Sequence, residues 1–144
     1  MVMRVKEFAD VLKTTPDTVR YYSRIGYLKP AINKLNGYKE YSNTDLNRLR
    51  FVLSARHLGF SVDDIGEILA VAGKGNTPCP LVRDLIQKRL EKTEKQFLET
   101  VNLHDQMKAA VNEWKDKPDK EPTGDTICHL IEDFMKNPDV TIGS

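Results

Sequence analysis

Two groups of residues in this 144-residue chain have the types and spacing for chemistry. The first is Asp17, Thr18, Arg20, Tyr21 and Arg24. A helix that reads DNA needs short polar or bidentate side chains on its groove face, flanked by cations that meet phosphates, and this set satisfies that demand. The residues alone also allow Arg20 a surface salt bridge and Tyr21 a place in the core. The second group is Cys79 and Cys128. A lone cysteine pair in an unsecreted chain reads as reduced thiol, buried or ligating, in preference to a structural disulfide. Catalysis would need a nucleophile beside a base, or paired carboxylates in a pocket. His57, His104 and His129 fall on separate elements and Asp63-Asp64 suits a helix start, so no enzyme is expected.

These groups need elements to position them. Val5, Phe8, Ala9 and Leu12 recur at helical spacing across Arg4 to Leu12, and Lys13-Thr14-Thr15-Pro16 stops the run. Thr15 can cap the next helix, Pro16 fits its first turn because it has no N–H to leave unsatisfied, and Asp17 sits near the positive helix end. Val19, Tyr22 and Ile25 give that helix an inward face, and Gly26 ends it. Two short helices joined by a tight turn make a helix-turn-helix candidate. Tyr27-Leu28-Lys29-Pro30 is extended in character, and Asn36-Gly37 before Tyr38-Lys39-Glu40-Tyr41 reads as a hairpin turn. Ser42 with Asp45 opens a helix with Leu46, Leu49, Val52 and Leu53 inward, ending around Gly59. Ser61 with Asp64 repeats the device for Ile65, Ile68 and Leu69.

From Cys79 to about Lys115 the chain has no Gly, and no Pro after Pro80, while apolar or neutral positions from Val82 through Ile86, Leu90, Phe97, Val101 and Met107 to Trp114 alternate threes and fours. A helix of about 36 residues is about 54 Å long, too long for so small a chain to cover alone, so its stripe calls for a partner helix. The alternative is a helix folded back on its own head. Pro118 and the polar stretch through Gly124 break it, and Thr126 to Met135 reads as a short terminal helix.

Charge is divided unevenly: residues 1–57 hold 11 Lys and Arg against 5 Asp and Glu, and the rest hold 11 against 16. A basic front suits phosphate contact. No apolar run approaches the roughly 18 residues of a membrane helix, and the start MVMRVKEFADVL lacks the apolar core of a signal peptide, so a soluble cytoplasmic chain is expected.

Three segments, VKEFADVLKTTPDTVRYYSRIGYL, NGYKEYSNTDLNRLRFVLSARHLGFSVDDIGEIL and the long helix with its cysteine-bearing tail, together resemble the MerR family of bacterial transcription regulators. The resemblance covers nearly the whole chain and implies a mainly α fold in three parts: a winged helix-turn-helix DNA-binding head over 1–75, a long antiparallel coiled-coil dimerisation helix over 76–117, and an effector-binding loop with a short helix over 118–144. It implies a homodimer on promoter DNA, with RNA polymerase at the same promoter, and places Thr15, Asp17, Thr18, Arg20, Tyr21 and Arg24 with the wing residues Lys34, Tyr38 and Lys39 at the DNA. Apart from the resemblance, Tyr38 can equally pack on Tyr41. Activating members are similar in distorting an over-long promoter spacer when effector arrives, and bending such a site costs on the order of 1–6 kcal/mol.

The resemblance extends to the effector. Divalent-metal-sensing members are similar in having a cysteine where Cys79 stands, and Cys128 in TICHLIE resembles their second loop cysteine, so that Cys79 of one chain would meet Cys128 of the other. The chain departs from the full pattern, because Lys117 through Ile127 contain no further cysteine. His129 can supply nitrogen, and Asp125 or Asp133 oxygen; such a mixed set suits zinc better than mercury or copper. The alternative reading of the same sulfurs is a thiol redox or electrophile sensor using Cys79 and Cys128.

Overall fold

Three helices begin where a hydroxyl meets the amides that a first turn leaves free. In the computed structural model, which describes residues 2–137, the order is α1 (Val5–Val11), α2 (Pro16–Arg24), β1 (Ala31–Ile32), β2 (Lys39–Glu40), α3 (Asn43–His57), α4 (Val62–Gly73), α5 (Cys79–Trp114) and α6 (His129–Met135). Thr15 accepts the Thr18 amide at 3.2 Å, with Pro16 in the first turn. Ser42 with Asp45 and Ser61 with Asp64 form complete capping boxes. The chain is therefore mainly α, with one antiparallel two-stranded ribbon pairing Ala31 with Glu40 and Ile32 with Lys39. It divides into two compact units, Met1–Arg89 and Leu90–Ser144.

In the first unit the apolar faces of α1 to α4 meet in one core. Phe8, Ala9, Val19, Leu49, Val52 and Ile65 are fully buried, and Leu81, Val82, Leu85 and Ile86 at the start of α5 pack against them. Tyr41 ties the layers together. Its ring stacks on Phe8 with centroids 4.6 Å apart, its hydroxyl lies 2.8 Å from Ser23 Oγ, and its backbone pairs with Met3 through two N–H···O bonds of 2.7 and 2.9 Å.

Polar contacts fix the exit from α2. Gly26 takes a φ of +88°, letting the Tyr27 and Leu28 amides both donate to the Tyr22 carbonyl. The Lys29 amide donates to Asp45 Oδ1 at 2.9 Å, Arg48 Nε to the Tyr27 carbonyl at 2.7 Å, and the Tyr27 hydroxyl to the Val62 carbonyl at 2.6 Å. Gly66 makes the last contact possible, because a Cβ there would collide with the Tyr27 hydroxyl.

The structure corrects three local expectations. Ile25 is not an inward residue of α2: the helix ends at Arg24, and Ile25 is exposed while Leu28 fills the core. The Asn36-Gly37 step lies in the hairpin's loop as expected, but it is not by itself the turn. Asn33 organises a wider loop instead, donating its amide to the Tyr38 carbonyl and accepting the Gly37 amide on its own carbonyl, each at 2.8 Å. The terminal helix starts at His129, not Thr126, because the Thr126 amide donates to Thr123 Oγ1 and Cys128 is extended.

In the second unit, Trp114 packs edge-to-face on Phe134 at 5.8 Å. The His129 Nε2 atom lies 2.9 Å from the Pro118 carbonyl oxygen, which fastens α6 to the chain leaving α5.

Arg89 Nε donates to Asp64 Oδ2 at 3.0 Å, so the α4 capping box also grips α5. Burial would push the Asp64 carboxyl up, but the Ser61 amide and the Arg89 guanidinium outweigh it and hold it below the usual carboxylate range. A carboxyl whose folded-state affinity for protons is lowered stabilises the fold fully at neutral pH, and that contribution fades as pH falls through its lowered value. Asp64→Ala is expected to cost about 1–2 kcal/mol in urea unfolding at neutral pH. The deficit relative to wild type should shrink on acidification below the ordinary carboxylate range; a constant difference would show that the charge contributes nothing.

Candidate nucleic-acid interface and thiol site

Helix α2 is split lengthwise. Val19 and Tyr22 are buried, whereas Asp17, Arg20, Tyr21 and Arg24, at the i, i+3, i+4 and i+7 positions of one face, are exposed. The structure thus brings the expected helix residues onto one surface. Arg20 Nη1 is 3.1 Å from Asp17 Oδ1, and the Arg24 guanidinium carbon lies 5.6 Å from the Tyr21 ring centroid. Both open readings from the sequence receive an answer: Arg20 does form a surface ion pair, and Tyr21 stays outside the core. Thr15 and Thr18 stand at the helix start with their hydroxyls 2.9 Å apart.

The hairpin supplies a second exposed set, Lys34, Tyr38 and Lys39. Tyr38 does not pack on Tyr41 as one reading allowed; Phe8 occupies that ring, and Tyr38 is met by the Arg4 guanidinium at 4.3 Å from its centroid. Sequence reasoning missed Arg4, since nothing in the spacing of residues 4 and 38 announces their meeting.

The thiols are both free, with Cys79 exposed at the start of α5 and Cys128 half-buried at the N-cap of α6. Cys128 uses no side-chain cap bond. Glu132 folds back instead, accepting the Ile127 and Cys128 amides just ahead of the helix at 3.0 Å each. Glu132 also escaped the sequence reading, although a carboxylate four residues beyond Cys128 was its available signal. His129 Nδ1 lies 3.8 Å from Asp133 Oδ2. Among the described residues no three His, Cys, Asp or Glu side chains converge into a metal-sized group. A groove of about 380 Å³ between α3 and α4 is walled by Phe51, Ile68, Leu69 and Ala72 with Arg48, and its lining holds no acid, histidine or thiol. No helix among the described residues is long and apolar enough to cross a membrane.

Residues 3–71 match the family model for the MerR HTH family regulatory protein, and residues 46–110 match that for MerR, DNA binding. The HTH-type transcriptional regulator ZntR of Escherichia coli K12 is 32% identical over 69% of this chain and 72% of its own length. The chain belongs to the MerR family. MerR relatives also include a probable heavy metal-dependent transcriptional regulator of Haemophilus influenzae, 29% identical over 72% of this chain and 86% of its own. The MerR fold is shared with the transcription regulator PbrR691 of Ralstonia metallidurans CH34, solved in complex with lead(II), at a TM-score of 0.74, 19% identity, and coverage of 91% and 98%. This chain is a DNA-binding transcription regulator of MerR type, and not an enzyme.

If α2 reads bases and the hairpin meets phosphates, two kinds of loss are expected. Arg20→Ala is expected to weaken binding to a matched duplex by about 1–3 kcal/mol, whereas Lys39→Ala should weaken all sequences alike and reduce the salt slope by about one. Salt titrations with matched and scrambled duplexes check this. Unchanged affinity in both variants would remove these residues from the DNA.

Proposed function

We propose that this regulator works in the cytoplasm as a homodimer, paired antiparallel along α5, which distorts a promoter for RNA polymerase in answer to a divalent metal ion. The head over 1–75 meets DNA, 76–117 pairs the chains, and 118–144 senses the effector. The metal is zinc, with Cys128 and His129 from one copy and Cys79 from the other as ligands.

The observation that carries the reading is the stripe on α5. Leu90, Phe97, Val101, Met107 and Val111 are separated by seven, four, six and four residues, one or two helical steps of three or four each, yet each is 41–66% exposed in the single chain. An apolar stripe on a 36-residue helix is the pattern that a second helix covers.

The donor set supports the metal. The Cys128 sulfur makes no cap hydrogen bond and belongs to a free thiol, so it is open to another partner. A thiolate with an imidazole suits a tetrahedral zinc ion. His129 would exchange its Pro118 contact for the ion while Asp133 steadies the other ring nitrogen, an arrangement common around ligating histidines. Bound there, the ion would supply the positive charge that draws thiolates from two chains together. One chain offers too few donors, so the metal and the dimer stand or fall together. The heavy metal-dependent relative favours the same effector class. The free thiols favour a second reading, oxidation of Cys79 and Cys128 as the switch.

Two experiments test the proposal. The double variant Leu90→Asp with Phe97→Asp should sediment as a monomer and bind promoter DNA weakly; a persisting dimer would refute the stripe argument. A Cys79→Ser chain paired with a Cys128→Ser chain should keep half the zinc of wild type, whereas either homodimer should keep none. If both homodimers bind zinc fully, or reduced wild type binds none, the ion is not held here and the redox reading takes its place.

A further inference from the structure

Arg4 precedes α1 and lies far in sequence from the hairpin, yet the structure places its guanidinium over the Tyr38 ring, 4.3 Å from the centroid. Both sides of this contact are anchored by backbone. The adjoining Met3 is buried and paired in both directions with Tyr41. Tyr38 is held by its amide, which donates to Asn36 Oδ1 at 3.0 Å, and by its carbonyl, which accepts the Asn33 amide. Stacking uses the face of a guanidinium and leaves its in-plane N–H donors available.

Those donors lack an acidic partner. Among the described residues no carboxylate lies within ion-pair distance of Arg4, and the acid of the hairpin, Glu40, faces the Asn33 amide group at 3.5 Å instead. Arg4 and Tyr38 are both exposed, within the first 57 residues that carry the positive excess. A planar cation held against a phenol, with free N–H edges, matches the demands of a phosphodiester oxygen pair.

We infer that Arg4 and Tyr38 form a two-residue clamp for one backbone phosphate of bound DNA, with the N-terminal segment contributing to the wing as a third edge. The inference rests on the reading of the hairpin as a DNA-contacting wing. The clamp differs from a stacking pair that only stiffens the hairpin, because it requires a counterion to leave when DNA binds.

The probes are a mixed-sequence duplex and an operator recovered by selection from a random duplex library, each titrated with salt. Arg4→Gln should keep the wild-type melting temperature, bind both duplexes about threefold to tenfold more weakly, and lower the salt slope by about one. Arg4→Lys should restore the slope. Arg4→Gln combined with Tyr38→Ala should lose less than the product of the two single losses, because the residues act on one phosphate. An unchanged slope in Arg4→Gln, or single losses that multiply independently, would overturn the clamp. Salt-insensitive binding by the wild type would overturn the wing reading itself, a separate failure.

Discussion

A buried carboxylate cannot be left alone, and that constraint organises the head. Asp45 is 3% exposed and accepts three hydrogen bonds: the Lys29 amide, the Ser42 amide and the Ser42 hydroxyl. A polar group so buried is tolerable only with its partners in position. The chain leaving α2, the end of the hairpin and the start of α3 must therefore arrive at one point together. Arg48 and Tyr27 extend the network to α4. The apolar core supplies the driving force for collapse, but it is not directional; these bonds hold α2 and the hairpin in one relation to each other.

The side chains on the exposed face of α2 contribute little to that framework. The Arg20–Asp17 pair is more than half exposed on both sides, where an ion pair adds almost nothing to stability. Arg24 and Tyr21 meet at the outer limit of a useful cation–ring contact. Thr15 is different, since its hydroxyl caps the helix that carries the others. The framework and the exposed α2 face thus overlap at few residues, and Arg20 can be replaced at small cost to folding while Asp45 cannot.

Most of the architecture was legible because its signals are local. Each hydroxyl–carboxylate pair three residues apart opens the helix it announces, and the apolar spacing of the Cys79–Trp114 helix survives without interruption. The α2 face was legible for the same reason, four positions on one helix needing only its period. Ile25 misled because the apolar period continues past Arg24, the last helical residue, onto the cap just before Gly26. The Asn36-Gly37 step located the hairpin but not the width of its loop, which Asn33 sets by bonding to Leu35, Gly37 and Tyr38. Arg4 and Glu132 went unseen because their contacts depend on meetings that the chain path decides: a cation reaching a ring on a different element, and a carboxylate folding back onto the amides that precede its own helix.

Gly66 and Tyr27 illustrate how such meetings constrain descent. Every other residue at 66 brings a Cβ into the Tyr27 hydroxyl, so the glycine has no neutral neighbour while that hydroxyl remains. Were Tyr27 to become phenylalanine, the Val62 carbonyl would lose its extra donor, and the space for alanine at 66 would need only a small adjustment of the ring. The two positions, thirty-nine apart, are therefore expected to drift as a pair across lineages, with alanine at 66 accompanied by loss of the phenol at 27.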